Sequence, residues 1–141
     1  DDIIWGHAGS DLINAGSGDD TIWAGGGHDV IHLVSGSNQC SAEAGNDQVF
    51  GGDGDDRISL GDGNDSADGI EGADTICGDD GDDVIEGASG NDVLWGGADS
   101  DSNDGGPGTD LCNAETESAC DGLQASRPTA CPAVTEPSPA G

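Results

Sequence analysis

Gly51-Gly-Asp-Gly-Asp-Asp-Arg-Ile-Ser59 contains in nine residues the pattern that organises this chain. Glycines stand at positions one, two and four, an Asp at six and an aliphatic residue at eight. Stepping by nine in either direction recovers the same residue types from Gly6 to Asn113 without an insertion or deletion, which makes twelve repeats. Position six reads Asp11, Asp20, Asp29, Asn38, Asp47, Asp56, Asp65, Asp74, Asp83, Asp92, Asp101 and Asp110. Position four is glycine in every repeat except at Asp99, and position eight is mainly aliphatic or Cys, as at Ile13, Ile22, Cys40, Val49 and Ile58. A compositional bias toward Gly and Asp does not hold three registers at once.

The pattern has a direct conformational reading. Glycine reaches backbone angles closed to other residues, so the first six residues of a repeat are expected to turn tightly, and the last three to form a short strand. Alternation along that strand buries position eight and exposes positions seven and nine. Two repeats then close one coil of eighteen residues, with strands on opposite sides, and coils stack at about 4.8 Å. Six coils would span about 29 Å. The expected fold is all-β: a parallel β-roll, a two-sheet stacked β-solenoid, with a short irregular C-terminal cap or tail.

These residues resemble the RTX nonapeptide repeats, whose consensus is G-G-x-G-x-D-x-U-x, with U an apolar residue. The fullest matches are Gly51 to Ser59 and Gly105 to Asn113, while Gly78 to Glu86 lacks the second glycine. Leu33 to Ser41, Ala42 to Phe50 and Gly96 to Asp104 depart furthest from the consensus. The resemblance implies an exported bacterial protein whose repeats fold on meeting extracellular calcium. It transfers no enzymatic activity, because such repeats accompany proteases, lipases, toxins, adhesins and matrix proteins alike.

Charge points to the same ligand independently. With 30 Asp plus Glu against 2 Lys plus Arg, the formal net charge is -28. Nucleic acid and anionic lipid are bound through Lys and Arg, so neither is expected as a partner, and no apolar run reaches membrane-spanning length. Stacking places Asp11 over Asp29 and Asp29 over Asp47 on one edge, and Asp20, Asn38 and Asp56 in line on the other. Carboxylates about 4.8 Å apart repel by roughly 3 kcal/mol per pair at an effective dielectric of 20. Calcium between adjacent turns removes that repulsion, taking carboxylates and alternate backbone carbonyls among its six to eight oxygen ligands. Five gaps per edge allow at most ten ions, which would bring the formal charge from -28 to -8. The metal ligands expected are the twelve position-six residues. Asn38 is expected to weaken two sites on its edge, and Asp99 to disturb the end of the other.

Other chemistries lack their signatures. No window fits the twelve-residue EF-hand loop, and H-E-x-x-H and G-x-S-x-G are both absent, so no enzyme is expected. His28 and His32 stand four apart, a metal spacing on a helix but not across a turn and a strand, and read as exposed variation. The mixed residues at position five argue against an ice-binding array.

The domain division expected is a roll over 1–113, comprising a partial repeat at 1–5 and the twelve repeats at 6–113, followed by a cap or tail over 114–141. Position nine carries Trp23, Phe50, Cys77 and Trp95, with Trp5 in the same register, and is expected to face outward. Two routes of self-association follow: through the face bearing Trp5, Trp23 and Trp95, or end to end through the uncapped first rung. Cys40 is expected as a buried core thiol. Cys112, Cys120 and Cys131 can staple a cap, most simply through Cys120 with either neighbour. Cysteine content and the calcium requirement favour an extracellular or cell-surface setting, with an export signal expected outside this sequence. The function expected is a structural one in a surface fibre, adhesin or matrix assembly; the alternative is the C-terminal secretion and folding module of an exported enzyme or toxin.

Overall fold

The computed structural model describes residues 1–113, 116–118 and 134. The described chain winds into coils of eighteen residues flanked by two parallel sheets of seven strands each. The first sheet is built from β1 (Ile3–Ala8), β3 (Thr21–Gly27), β5 (Gln39–Gly45), β7 (Arg57–Asp62), β9 (Thr75–Asp80), β11 (Val93–Ala98) and β13 (Leu111–Asn113) in that order. The second runs through β2 (Leu12–Asn14), β4 (Val30–Ser35), β6 (Gln48–Asp53), β8 (Ser66–Glu71), β10 (Val84–Glu86), β12 (Ser102–Asp104) and β14 (Thr116–Ser118).

The period dictates the register. Ile22 pairs with Cys40, Cys40 with Ile58, and Ile58 with Ile76, each step being one coil. The step holds until β12, where Ser102 pairs with Thr116, so the last pairing leaves the eighteen-residue period.

The strands are longer than the three residues read from the sequence. Most continue through positions one and two of the next repeat, as in β7, where Arg57-Ile58-Ser59 runs on into Leu60-Gly61-Asp62. Alternation therefore carries further: positions six, eight and one all face inward. Asp56, Ile58 and Leu60 are buried together, while Arg57 and Ser59 between them face out. The apolar column read at position eight is thus joined by a second, partial one at position one, which is glycine in seven of the twelve repeats. Position eight supplies Ile22, Cys40, Ile58, Ile76 and Leu94 to the first sheet and Ile13, Ile31, Val49, Ala67 and Ile85 to the second. Position one adds Ala15, Ala24, Leu33, Ala42 and Leu60. Asn103 ends the second sheet's column, fully buried, with its Nδ2 donating to the Asn113 carbonyl at 3.2 Å.

Position two takes positive φ in all twelve repeats, which brings the strand to its end and starts the turn. Glycine meets that demand in half of them, and His7, Val34, Glu43, Ile70, Asp79 and Ala88 meet it at a cost of about 1–3 kcal/mol each. Close stacking sets the requirement at position four: a Cβ on Gly54 (φ 117°) would collide with the Gly36 carbonyl one coil below. Asp99 occupies this position at φ 73°, so it keeps the turn.

Two outward-facing residues are not where the repeat pattern places them. Trp23 is only 4% exposed, its ring stacked on Trp5 at 5.5 Å, and Trp5 is 46% exposed. Cys77, in register between Ser59 and Trp95, is also buried. In-register stacking brings position-nine side chains within one strand spacing of each other, and Trp5 shields the Trp23 ring in this way. Cys40 is a free, buried thiol as expected, and burial, reinforced by Asp56 and Asp47, pushes its ionisation far up. The pairing choices for Cys120 and Cys131, and the cap or tail to which they belong, lie outside the described residues.

Candidate calcium centre

The inward turn of position six decides the chemistry. Eleven of the twelve predicted ligands are buried, from Asp20 to Asp110, and Asp11 is half-buried. They form two files. One edge carries Asp20, Asn38, Asp56, Asp74, Asp92 and Asp110, and the other Asp11, Asp29, Asp47, Asp65, Asp83 and Asp101.

Each file is threaded by one repeated hydrogen bond, in which the backbone N–H of a position-six residue donates to the Oδ1 of its counterpart one coil later. The bond runs from Asp11 to Asp29 at 2.8 Å, Asp29 to Asp47 at 2.8 Å and Asp47 to Asp65 at 2.7 Å on one edge. On the other it runs from Asp56 to Asp74 and Asp74 to Asp92, both at 2.8 Å, and Asp92 to Asp110 at 2.9 Å. Beside Asp99 the ladder is looser, with 3.1 Å from Asp83 to Asp101 and 3.3 Å from the Gly81 N–H to the Ala98 carbonyl. Asp2 extends the file of Asp20, donating its N–H to that residue at 2.6 Å. It sits nine residues before Asp11, a register visible in the sequence but not used there.

The second carboxylate oxygen is the telling atom. In Asp11, Asp20, Asp29, Asp47, Asp56, Asp65, Asp74, Asp83, Asp92 and Asp110, Oδ2 is buried and has no hydrogen-bond partner. Burying ten such oxygens unsatisfied is a cost no stable fold carries without compensation, and each must gain either a proton or a cation. The protonation tendency is visible: burial raises Asp74 and Asp83 to about 7, and Asp47 and Asp56 to about 6, with Asp65 and Asp92 shifted the same way.

The donor set fits calcium. Every side-chain donor in the files apart from the Asn38 amide is a carboxylate oxygen, and backbone carbonyls of the glycine turns lie in successive layers beside them. Among the described residues no three His, Cys, Asp or Glu side chains converge, since the carboxylates stand in single file. An ion held by such a file would therefore need backbone carbonyls as well, and the glycine-rich turns carry them beside the carboxylates.

A second ladder, missed in the sequence, runs the opposite way outside the first. Position-five side chains accept backbone N–H groups from the coil that follows: Asp19 from Ser37 at 2.8 Å, His28 Nδ1 from Asn46 at 2.8 Å, Asp55 from Ala73 at 2.8 Å and Asn91 from Thr109 at 2.9 Å. This explains why position five is so often Asp, Asn or Ser; the signal was its acceptor content rather than its shape. His28 thus serves the backbone, and His32 stacks on Phe50 at 4.8 Å.

The family model for the RTX calcium-binding nonapeptide repeat matches the chain in four copies, over residues 1–31, 34–67, 68–102 and 78–112. The chain belongs to this family. No curated protein and no solved structure matches it. As an RTX protein it binds calcium, and the buried, regularly spaced aspartates of its two files suit calcium-binding turns. The RTX assignment and the parallel two-sheet roll agree with each other and with the periodicity of the sequence.

Proposed function

We propose that this RTX chain is an exported, non-catalytic rod that calcium rigidifies outside the cell, where it serves a surface fibre, adhesin or matrix assembly. Calcium is held by the aspartates of the two position-six files, bridging successive coils. The observation that carries the proposal is the set of ten buried Oδ2 atoms without partners, because a structure so dependent on the ion is a structure only where calcium is plentiful. Ile3 and Trp5, 59% and 46% exposed at one end of the first sheet, supply an apolar surface for a second copy of the chain.

Electron microscopy of the purified chain with calcium and with chelator tests this reading. Ordered rods or filaments in calcium, lost on chelation, are expected. Full β structure by circular dichroism in excess chelator at pH 7.5 would count against a calcium-driven fold. Particles that stay monomeric at high protein and calcium concentrations would count against assembly.

A further inference from the structure

Asn38 is the one position-six residue of the repeats that is not a carboxylate, and its environment differs from the others in kind. Its Oδ1 accepts the backbone N–H of Asp20 at 2.9 Å, as the aspartates do for their own predecessors. That bond fixes the amide, since the flipped orientation would set two donors face to face. Its Nδ2 then stands where the aspartates bury an unpartnered Oδ2. It donates to the Gly36 carbonyl at 3.2 Å and to Asp56 Oδ1 at 3.0 Å. One contact is a turn carbonyl, and the other is the Asp56 Oδ1 that also accepts the Asn38 backbone N–H at 2.9 Å.

We infer that Asn38 is a metal-free joint in the roll: its amide closes the gap to Asp56 directly, and that gap binds no calcium. A cation cannot share the space, because the amide hydrogens present positive charge to it, and the buried unpartnered oxygen that the aspartates hold in this place is replaced by a donor nitrogen. The neutral amide also breaks the run of like charges, separating Asp20 from Asp56 by two strand spacings, or about 9.6 Å. The joint lies where the core is thickest. Leu33 and Leu60, the two leucines at position one, and Ile22, Ile31, Cys40 and Ile58 are all fully buried around it. Metal-free closure and the best apolar packing therefore coincide, and this segment is the nucleus on which the calcium-dependent coils assemble.

The inference rests on calcium binding by the position-six files, and the test separates the two. Calcium stoichiometry is measured by native mass spectrometry and titration calorimetry on the full chain and on Asn38→Asp, both at saturating calcium. Asn38→Asp is expected to bind one ion more than the parent. In chelator, the Asp20 and Asn38 backbone amides of the parent are expected to exchange hydrogen more slowly than those of Asp47 and Asp65 on the other edge. Asn38→Ala should lose that protection without gaining an ion. Equal stoichiometry in the parent and Asn38→Asp would overturn the joint while leaving calcium binding intact, and equal exchange at both edges would overturn the nucleus. Absence of bound calcium in both proteins would remove the file assignment and the inference with it.

Discussion

Asp74 accepts the backbone N–H of Asp56 on its Oδ1 at 2.8 Å, while its Oδ2, buried in the same turn, has no hydrogen-bond partner. One side chain therefore does two jobs. Half of the carboxylate belongs to the backbone ladder that ties one coil to the next. The other half is a buried oxygen without a partner, which suits a calcium-binding turn.

Replacing Asp74 by Asn separates these roles. The amide oxygen can keep the Asp56 N–H, and the amide nitrogen can reach toward Asp92 as Asn38 reaches toward Asp56. The number of bound calcium ions is expected to fall by at least one, and the calcium concentration for half-folding to rise several-fold. Titration calorimetry and a circular dichroism titration check both. The substitution should also increase β structure in chelator, because it removes a buried charge from the file.

The pH dependence follows from the raised carboxyls. Burial lifts Asp74 and Asp83 from 3.8 to about 7 and Asp47 and Asp56 to about 6, so the folded chain holds these protons more tightly than the unfolded chain does. Their contribution to the metal-free roll is full below pH 3.8 and is lost as pH rises through 6 to 7. Circular dichroism in chelator should therefore show β structure growing as pH falls from 8 to 5.

Calcium reverses the direction, since ion and proton compete for the same oxygens. Affinity should weaken as pH falls through 7 and 6, moving the midpoint of a calcium titration to higher concentration at pH 5.5 than at pH 7.5. A midpoint unchanged between those two values would mean that the raised carboxyls are not the ligands.

The second apolar column can be tested at Leu60, fully buried at position one. Leu60→Ala should destabilise the calcium-loaded roll by about 2–5 kcal/mol in denaturant unfolding, as for a large core side chain. Were position one merely part of an exposed turn, the loss would stay below about 0.5 kcal/mol.

Backbone strain makes the opposite kind of prediction. Val34 and Ile70 are β-branched residues held at φ 81° and 80°, with Val34 exposed and Ile70 half-buried. Val34→Gly and Ile70→Gly should each raise stability by about 1 kcal/mol, because glycine takes that conformation without strain. Gly52→Ala, in register beside Val34, should do the reverse, since its Cβ would meet the Val34 carbonyl.

Much of this molecule could be read from the chain alone, for a physical reason. Twelve repeats without an insertion leave one geometry in which like residues stack, so the eighteen-residue coil, the two parallel sheets, the aliphatic columns and the files of Asp11 through Asp110 follow from the period. The excess of negative charge then names the class of ion. What the period could not convey is where each strand stops. Leu60 faces inward with Ile58 only because the strand alternation extends past the repeat boundary, and that extension is settled by pairing with residues eighteen positions away. The stacking of Trp23 on Trp5, the outer ladder through Asp19 and His28, and the amide closure between Asn38 and Asp56 are likewise contacts between coils. They depend on which particular side chain lies one strand spacing away, and no single repeat contains that information.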